Sequence, residues 1–470
     1  MSEFTLTKNV LVTGFEGYGA QLNQNVFAQI TRDLGVTDAH LEELPRHVGR
    51  LAPRFVRIFF DPRALPGAHP MSGNLMDSFV KTVELAQSAA TTINVTWTGG
   101  GAVDPEATMR PFANVLADLV LKNGVTRLRW ATVMNEPNSK STSLDLYTKL
   151  YQKLRDHLER RGVADQVRLM GGDLVQTGQK KWCHHLAENM SGLLDAWSIH
   201  IYWKYDALGP GKKTKLVKRL TDVRDIWEDC EEEQRKPLYV TEYGVKGDWK
   251  VQREVLQPDG TKKLKWVIVQ PEPGTYKPQD ADLNGPRVVD QNITAFQHAW
   301  FNLLAANLGY HGLVKWDAYF GKYDLNPKQP HPQEYGMIGK PGSSGWPLRP
   351  SYHLMRLFTQ TVKPGWNVRE LTTDDSGSQL VAAYSAPSGR GLTLIGLDTA
   401  GARLDEAVPE QRKYHFKLPG NRSFELLYWN RGGRGLLTSA GTKRTDGGGN
   451  VTVEAPLHSV FALTTVAVDV

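Results

Sequence analysis

Eight short apolar runs rich in β-branched and aromatic residues lie between Val10 and Leu357, each followed by a longer stretch of mixed polarity. A parallel strand buries both faces and so reads as a nearly continuous apolar run. Its neighbour can be reached only through a crossover of a dozen or more residues, usually a helix. The runs are NVLVTG (9–14), FVRIFF (55–60), TINVTWT (92–98), LRWATVMNE (128–136), VRLMGGDL (167–174), AWSIHIYW (196–203), LYVTEYG (238–244) and GLVKWDAYF (312–320). Eight such units predict an α/β fold of the (β/α)8 barrel type, a closed parallel sheet wrapped by helices. Between the runs, segments 105–124 and 144–162 repeat apolar residues every three or four positions and end at Gly, the pattern of helices with a C-terminal glycine stop.

The alternation ends near Lys363-Pro364-Gly365, beyond which short alternating strands such as LVAAYSA, LTLIGLD, KYHFKLP, FELLYWN and VTVEAPLHSVFALTTV are separated by Gly-, Ser- and Asn-rich turns. The sequence therefore predicts a barrel over 1–362 and a C-terminal β-sandwich over 363–470. A chain of 470 residues has room for both, since a barrel takes about 250 residues. One unit is swollen: residues 246–286 form an insertion after the seventh run, and its Pro258-Asp259-Gly260 reads as a hairpin turn.

Composition narrows the function classes. Charged residues are 23% of the chain and the net charge is only +6, with basic and acidic residues interspersed except at 212–219 and 262–265. Those two basic runs are read as solvated loops, and without a basic face interleaved with aromatics nucleic acid is not an expected partner. No stretch approaches the ~20 apolar residues of a membrane span, and the N-terminal segment lacks the charged start and apolar core of an export signal, so a cytoplasmic location is expected and no membrane partner. Cys183 and Cys230 are the only cysteines, too few for a disulfide framework. No metal is expected, because Cys183-His184-His185 has no HExxH or paired CxxC beside it, and no glycine run has phosphate-loop spacing.

In a barrel the working groups gather at the C-terminal ends of the strands. Glu136 closes the fourth run in WATVMNEPN and Glu242 closes the seventh in LYVTEYG, each a carboxylate where burial would otherwise favour an apolar residue. A pair of carboxylates across the mouth is what glycosidic cleavage requires: one protonates the departing oxygen and the other attacks the anomeric carbon. His200 and Tyr202 alternate on the sixth run and so share a face. Glu16 and Gln21, in the glycine-rich segment GFEGYGAQ, are further candidates to bind hydroxyls.

Asn-Glu-Pro closing the fourth strand and Thr-Glu-Tyr-Gly closing the seventh resemble glycoside hydrolase clan A, and the NEPN form with a following sandwich is most similar to families 39 and 5. The resemblance spans the barrel and not the sandwich. It implies a retaining O-glycosidase without a cofactor, acting on an oligo- or polysaccharide with β-linked or arabinose-type residues. It further implies Glu136 as acid/base, Glu242 as nucleophile, Arg57 as the strand-two arginine holding that nucleophile charged, and Asn135 as the ligand of the sugar 2-hydroxyl. His200 and Tyr202 would stand near the nucleophile, and Trp316 would form a platform under the sugar ring. Such a division of labour calls for a raised pKa at Glu136 and an ionised Glu242. A carbohydrate-binding protein on the same barrel and a transglycosidase are the alternative expectations, and oligomeric state is left open.

Overall fold

The computed structural model describes the chain apart from residues 1, 101–103, 141, 177, 205–207, 209–212, 247–248, 257–260, 270–291, 326–334, 375–376, 401–409, 431–434 and 469–470. Strand β1, Ser2–Phe15, leads directly into β2, Gly17–Leu22. There follow β3 Phe55–Phe60, β4 Thr92–Trp97, β5 Leu128–Val133, β6 Arg168–Leu174, β7 Ala196–Lys204, β8 Leu238–Lys246, β9 Trp249–Leu256, β10 Lys262–Val269 and β11 Gly312–Lys315. Eight of them, in the order β11-β2-β3-β4-β5-β6-β7-β8, close a parallel barrel. The helices Pro105–Leu121 and Leu144–Arg160 start and stop near the sequence expectation. Gly124 and Gly162 just beyond them take φ of +65° and +69°, which a Cβ would disfavour.

The first barrel strand is not the expected run 9–14. That run belongs to β1, which pairs antiparallel with β12 (Trp366–Thr373) and parallel with β15 (Gln411–Lys417) in a second sheet. The reason is visible in burial. β1 leaves one face to solvent, with Val10 44% exposed, whereas all six residues of β2 are buried. β2 reads GYGAQL and lacks the β-branched residues that mark a strand, because the barrel wall has no room there: a Cβ on Gly19 would lie 1.5 Å from the Phe55 carbonyl oxygen.

The remaining strands are β13 Gln379–Ser385, β14 Leu392–Asp398, β16 Ser423–Trp429, β17 Leu437–Arg444, β18 Asn450–Pro456 and β19 Val460–Thr464. They complete a mostly antiparallel sandwich in the order β17-β16-β19-β14-β13-β12-β1-β15-β18. The C-terminal sandwich thus also takes residues 2–15. One face encloses a core of its own around Phe4, Tyr414, Phe416 and Phe461, and the other contributes Tyr384, Ile395, Leu427 and Trp429 to the same apolar cluster as the barrel helices.

Two loop expectations are corrected. Lys213–Glu228 is a helix whose Leu216, Leu220, Val223 and Ile226 are buried at three- and four-residue spacing, so its basic residues ride on an amphipathic helix. Residues 262–265 lie in β10, which pairs with β9 from Lys262↔Leu256 to Val269↔Trp249, the hairpin expected within the insertion. The turn at 258–260 and the segment 270–286 fall outside the described residues. No described helix is long and apolar enough to cross a membrane.

The junction of the two layers rests on aromatic packing. Phe15 is fully buried against Tyr18 of β2 and Tyr384 of β13, with ring centroids 5.1 and 5.8 Å away, and the two tyrosine hydroxyls share a hydrogen bond. Phe15→Ala opens a cavity between barrel and sandwich, and we expect a loss of about 3–5 kcal/mol in unfolding free energy by denaturant titration. A loss below about 1 kcal/mol would show that the layers do not depend on this contact.

Candidate active site

Arg57 lies in the middle of β3 among apolar neighbours, yet its side chain is fully buried inside the barrel. A buried guanidinium needs acceptors for its forked donors, and five are present. NH1 donates to Glu242 Oε2 at 2.8 Å and Gln21 Oε1 at 3.3 Å, NH2 to Asn135 Oδ1 at 2.6 Å and Asp173 Oδ2 at 2.5 Å, and Nε to Thr96 Oγ1 at 3.0 Å. These partners come from β2, β4, β6 and β8 and from the turn after β5, so one side chain fixes the mouth of the barrel across most of its circumference.

Glu242 is held on its other oxygen as well, since the Tyr202 hydroxyl donates to Oε1. Burial, followed by the charge of Glu242, pushes the Tyr202 phenol well above its ordinary range, so it remains a donor. His200, two residues earlier on β7, shares that face as the alternation requires. Its Nδ1 is 3.2 Å from Glu136 Oε1 and 3.6 Å from Glu242 Oε2, and its Nε2 is 3.4 Å from Asp173 Oδ1. Burial alone would discharge this imidazole, but the three carboxylates outweigh it and raise its pKa to about 9. His200 is therefore a cation at neutral pH.

Glu136 sits at the end of β5 with a φ of +53° and 28% side-chain exposure, against 8% for Glu242. Met134 and Asp173 also have positive φ, at +66° and +52°. Three non-glycine residues in this sparsely populated region around one cleft are held there by their surroundings. Burial pushes the Glu136 carboxyl up, but the hydrogen bond and charge of His200, with Arg57 beyond, hold it below its ordinary value. The expected raised pKa is thus reversed in the free protein, because the sequence did not reveal how close a cationic imidazole stands.

Trp316, directly after β11, is half-buried. It stacks on Tyr323 with centroids 4.6 Å apart and an interplanar angle of 25°, and meets Phe59 at 5.6 Å. Its flanks Lys315 and Asp317 are both buried, and burial shifts each toward its neutral form. Lys315 Nζ donates to the Trp316 carbonyl at 2.7 Å and the Tyr335 carbonyl at 3.0 Å, which fixes the indole's backbone. Trp97 and Trp203 instead fill the core, the first against Phe60 and Phe112 and the second against Phe301.

The site candidates Arg57, Asn135, Glu136, His200, Tyr202, Glu242 and Trp316 all lie at this end of the barrel, and the first six form one connected network. Gln21 joins it through Arg57. Glu16 does not. It sits at the opposite end, before β2, accepting from Trp130 Nε1 at 3.2 Å and near Arg129 at 3.5 Å. The residue that sequence reading missed is Asp173. Its only signal was a carboxylate inside the apolar run VRLMGGDL, the same anomaly that drew attention to Glu136 and Glu242.

One oxygen of Glu136, one of Glu242 and a ring nitrogen of His200 lie within 4.8 Å of one another, which among the described residues is also the one acid–histidine trio able to share a cation. Here Arg57 and His200 themselves supply the positive charge. No protein-family profile and no curated protein matches this sequence. Solved structures do match in fold. An α-L-arabinofuranosidase from Thermotoga maritima aligns at TM-score 0.64 and 10% identity over 99% of this chain and 100% of its own. A GH30 endoxylanase from Clostridium papyrosolvens aligns at TM-score 0.61 and 13% identity over 99% and 100%. A glucosidase from Croceicoccus marinus aligns at TM-score 0.58 and 13% identity over the whole of both chains. The chain therefore has the barrel-plus-sandwich fold of clan A glycoside hydrolases.

Two stability predictions follow from the charges. Arg57→Met strands Asp173 and Glu242 as buried anions and should cost about 3–5 kcal/mol in denaturant unfolding. Adding Asp173→Asn should recover part of that loss, and a double variant no more stable than Arg57→Met would contradict the assignment. Burial raises Glu16 to about 7, above its ordinary 4.5, so its ionisation opposes folding. The penalty begins above pH 4.5 and is complete above pH 7. Glu16→Gln should therefore stabilise by about 2–3 kcal/mol at pH 8 and not at pH 4, and equal effects at both would refute it.

Proposed function

We propose that this chain is a retaining O-glycoside hydrolase in which Glu242 attacks the anomeric carbon and Glu136 acts first as acid and then as base. The observation that carries this reading is the carboxylate separation. Oxygens of Glu136 and Glu242 approach within 4.8 Å, in keeping with the ~5–5.5 Å of retaining enzymes and short of the ~6.5–9.5 Å that leaves room for an inverting enzyme's water.

The environments of the two carboxylates support the division of roles. Glu242 is deeper, with Arg57 on one oxygen and Tyr202 on the other, which orients it. Glu136 is the more exposed, on the side where a leaving group has a way out. Arg57 binds Asn135 through Oδ1 and so leaves its amide NH2 for the sugar 2-hydroxyl, a contact that strengthens toward the oxocarbenium-like transition state. The half-buried Trp316, backed by Tyr323 and Phe59, offers an apolar floor to the sugar.

For the substrate we propose an oligo- or polysaccharide with β-linked or arabinose-type residues. The arabinofuranosidase, endoxylanase and glucosidase folds named above are compatible with it. The motifs favour families 39 and 5 within the clan.

With aryl glycosides and natural oligosaccharides as substrates, Glu242→Gln and Glu136→Gln should each lower kcat/KM by about 10³-fold, equivalent to ~4 kcal/mol of barrier. NMR should show product released with retained anomeric configuration. A loss under tenfold in either variant, or an inverted product, would overturn the mechanism. Saccharide binding without turnover by the wild type would identify a binding protein instead.

A further inference from the structure

Asp173 has no place in a two-carboxylate mechanism, yet among the described residues of the barrel it is a heavily partnered acid. Its side chain is fully buried at the end of β6 with φ of +52°. Oδ2 accepts from Arg57 NH2, and Oδ1 accepts from Ser198 Oγ at 2.9 Å and Thr241 Oγ1 at 2.5 Å while lying 3.4 Å from His200 Nε2. The Asp173 amide N–H in turn donates to Ser198 Oγ at 2.8 Å, so backbone and side chain are pinned together. An acid that only neutralised Arg57 would not need to reach His200, and one that only buttressed His200 would not need Arg57.

We infer that Asp173 is a positioning residue that keeps His200 cationic between Glu136 and Glu242, so that the proton destined for the leaving group is stored on the His200–Glu136 pair. This inference rests on the hydrolase reading above. The charged and titratable groups around His200 are Arg57 from β3, Glu136 after β5, Asp173 from β6, Tyr202 on its own strand and Glu242 from β8. Lys140, further along the loop that carries Glu136, adds a more distant positive charge.

With Arg57 and His200 positive and Glu136, Asp173 and Glu242 negative, the free site carries one net negative charge. It holds one mobile proton, on His200 Nδ1, 3.2 Å from Glu136 Oε1. In the first displacement that proton passes to Glu136 and on to the departing oxygen. The C1–O bond breaks as a Glu242 oxygen bonds to C1. In the second, water gives a proton to Glu136, from which it returns to His200, while the water oxygen bonds to C1 and Glu242 departs. Protons and charge balance over the cycle, and Glu136 functions as an acid although its own carboxyl is held low in the free protein.

The test needs no substrate. NMR titration of His200, identified by the signal lost in His200→Gln, should show the ring protonated up to about pH 9 in the full-length wild type. In Asp173→Asn the midpoint should fall by about one unit or more, the size of shift a neighbouring opposite charge produces. Ser198→Ala, which removes a neutral partner of Asp173 and no charge, should move it much less. A wild-type midpoint near 6.5, or one unmoved in Asp173→Asn, overturns the inference. The wild-type titration decides even if Asp173→Asn does not fold. An inactive protein whose His200 titrates near 9 would count against the hydrolase reading alone, and an active enzyme whose His200 titrates near 6.5 would count against this inference alone.

Discussion

The site is organised by one buried cation. Removing a guanidinium from water costs several kcal/mol, and the expense is offset only where its planar fork meets anions and amide oxygens in good geometry. Arg57 meets Asp173, Glu242, Asn135, Gln21 and Thr96 together, and so ties one candidate carboxylate, the strand end before the other and three further strands to a common centre. The barrel supplies the frame that lets distant segments converge on it. The arginine in turn makes the polar interior of that frame tolerable.

From that centre the charges alternate outward. Glu242 and Asp173 flank Arg57, His200 reaches both of them and Glu136, and Glu136 faces the opening. Alternation of sign lets five ionisable groups occupy a small volume, since each is compensated by its neighbours where water cannot screen them. It also explains why Glu136 is not the isolated, elevated acid that a two-carboxylate scheme suggests. Its carboxylate is paired with the imidazole.

Much of the architecture was legible in the chain. Seven of the eight barrel strands could be read from apolar runs, because strands buried on both faces must be apolar. Glu136 and Glu242 stood out as violations of that rule. Three things were less legible. The strand Gly17–Leu22 hid behind its glycines, of which Gly19 is required by the closely approaching β3 backbone, while the more strand-like 9–14 segment went to the sandwich. Asp173 broke the same apolar rule, yet nothing in its local sequence indicated a partner. Glu16 lies only five residues from Gln21, but β2 runs between them and carries them toward opposite ends of the barrel.

The sequence by itself determined the repeating strand–helix order, the change to a β-rich C-terminal region and the types of side chain at the strand ends, because burial and periodicity are local properties that each segment displays alone. Only the tertiary structure decided that residues 2–15 cross into the sandwich, that Arg57 binds Asp173 as well as Glu242, and that His200 stands charged between the carboxylates. Those outcomes depend on contacts between residues that are tens to hundreds of positions apart, and on a low-dielectric interior that forms only once the barrel closes.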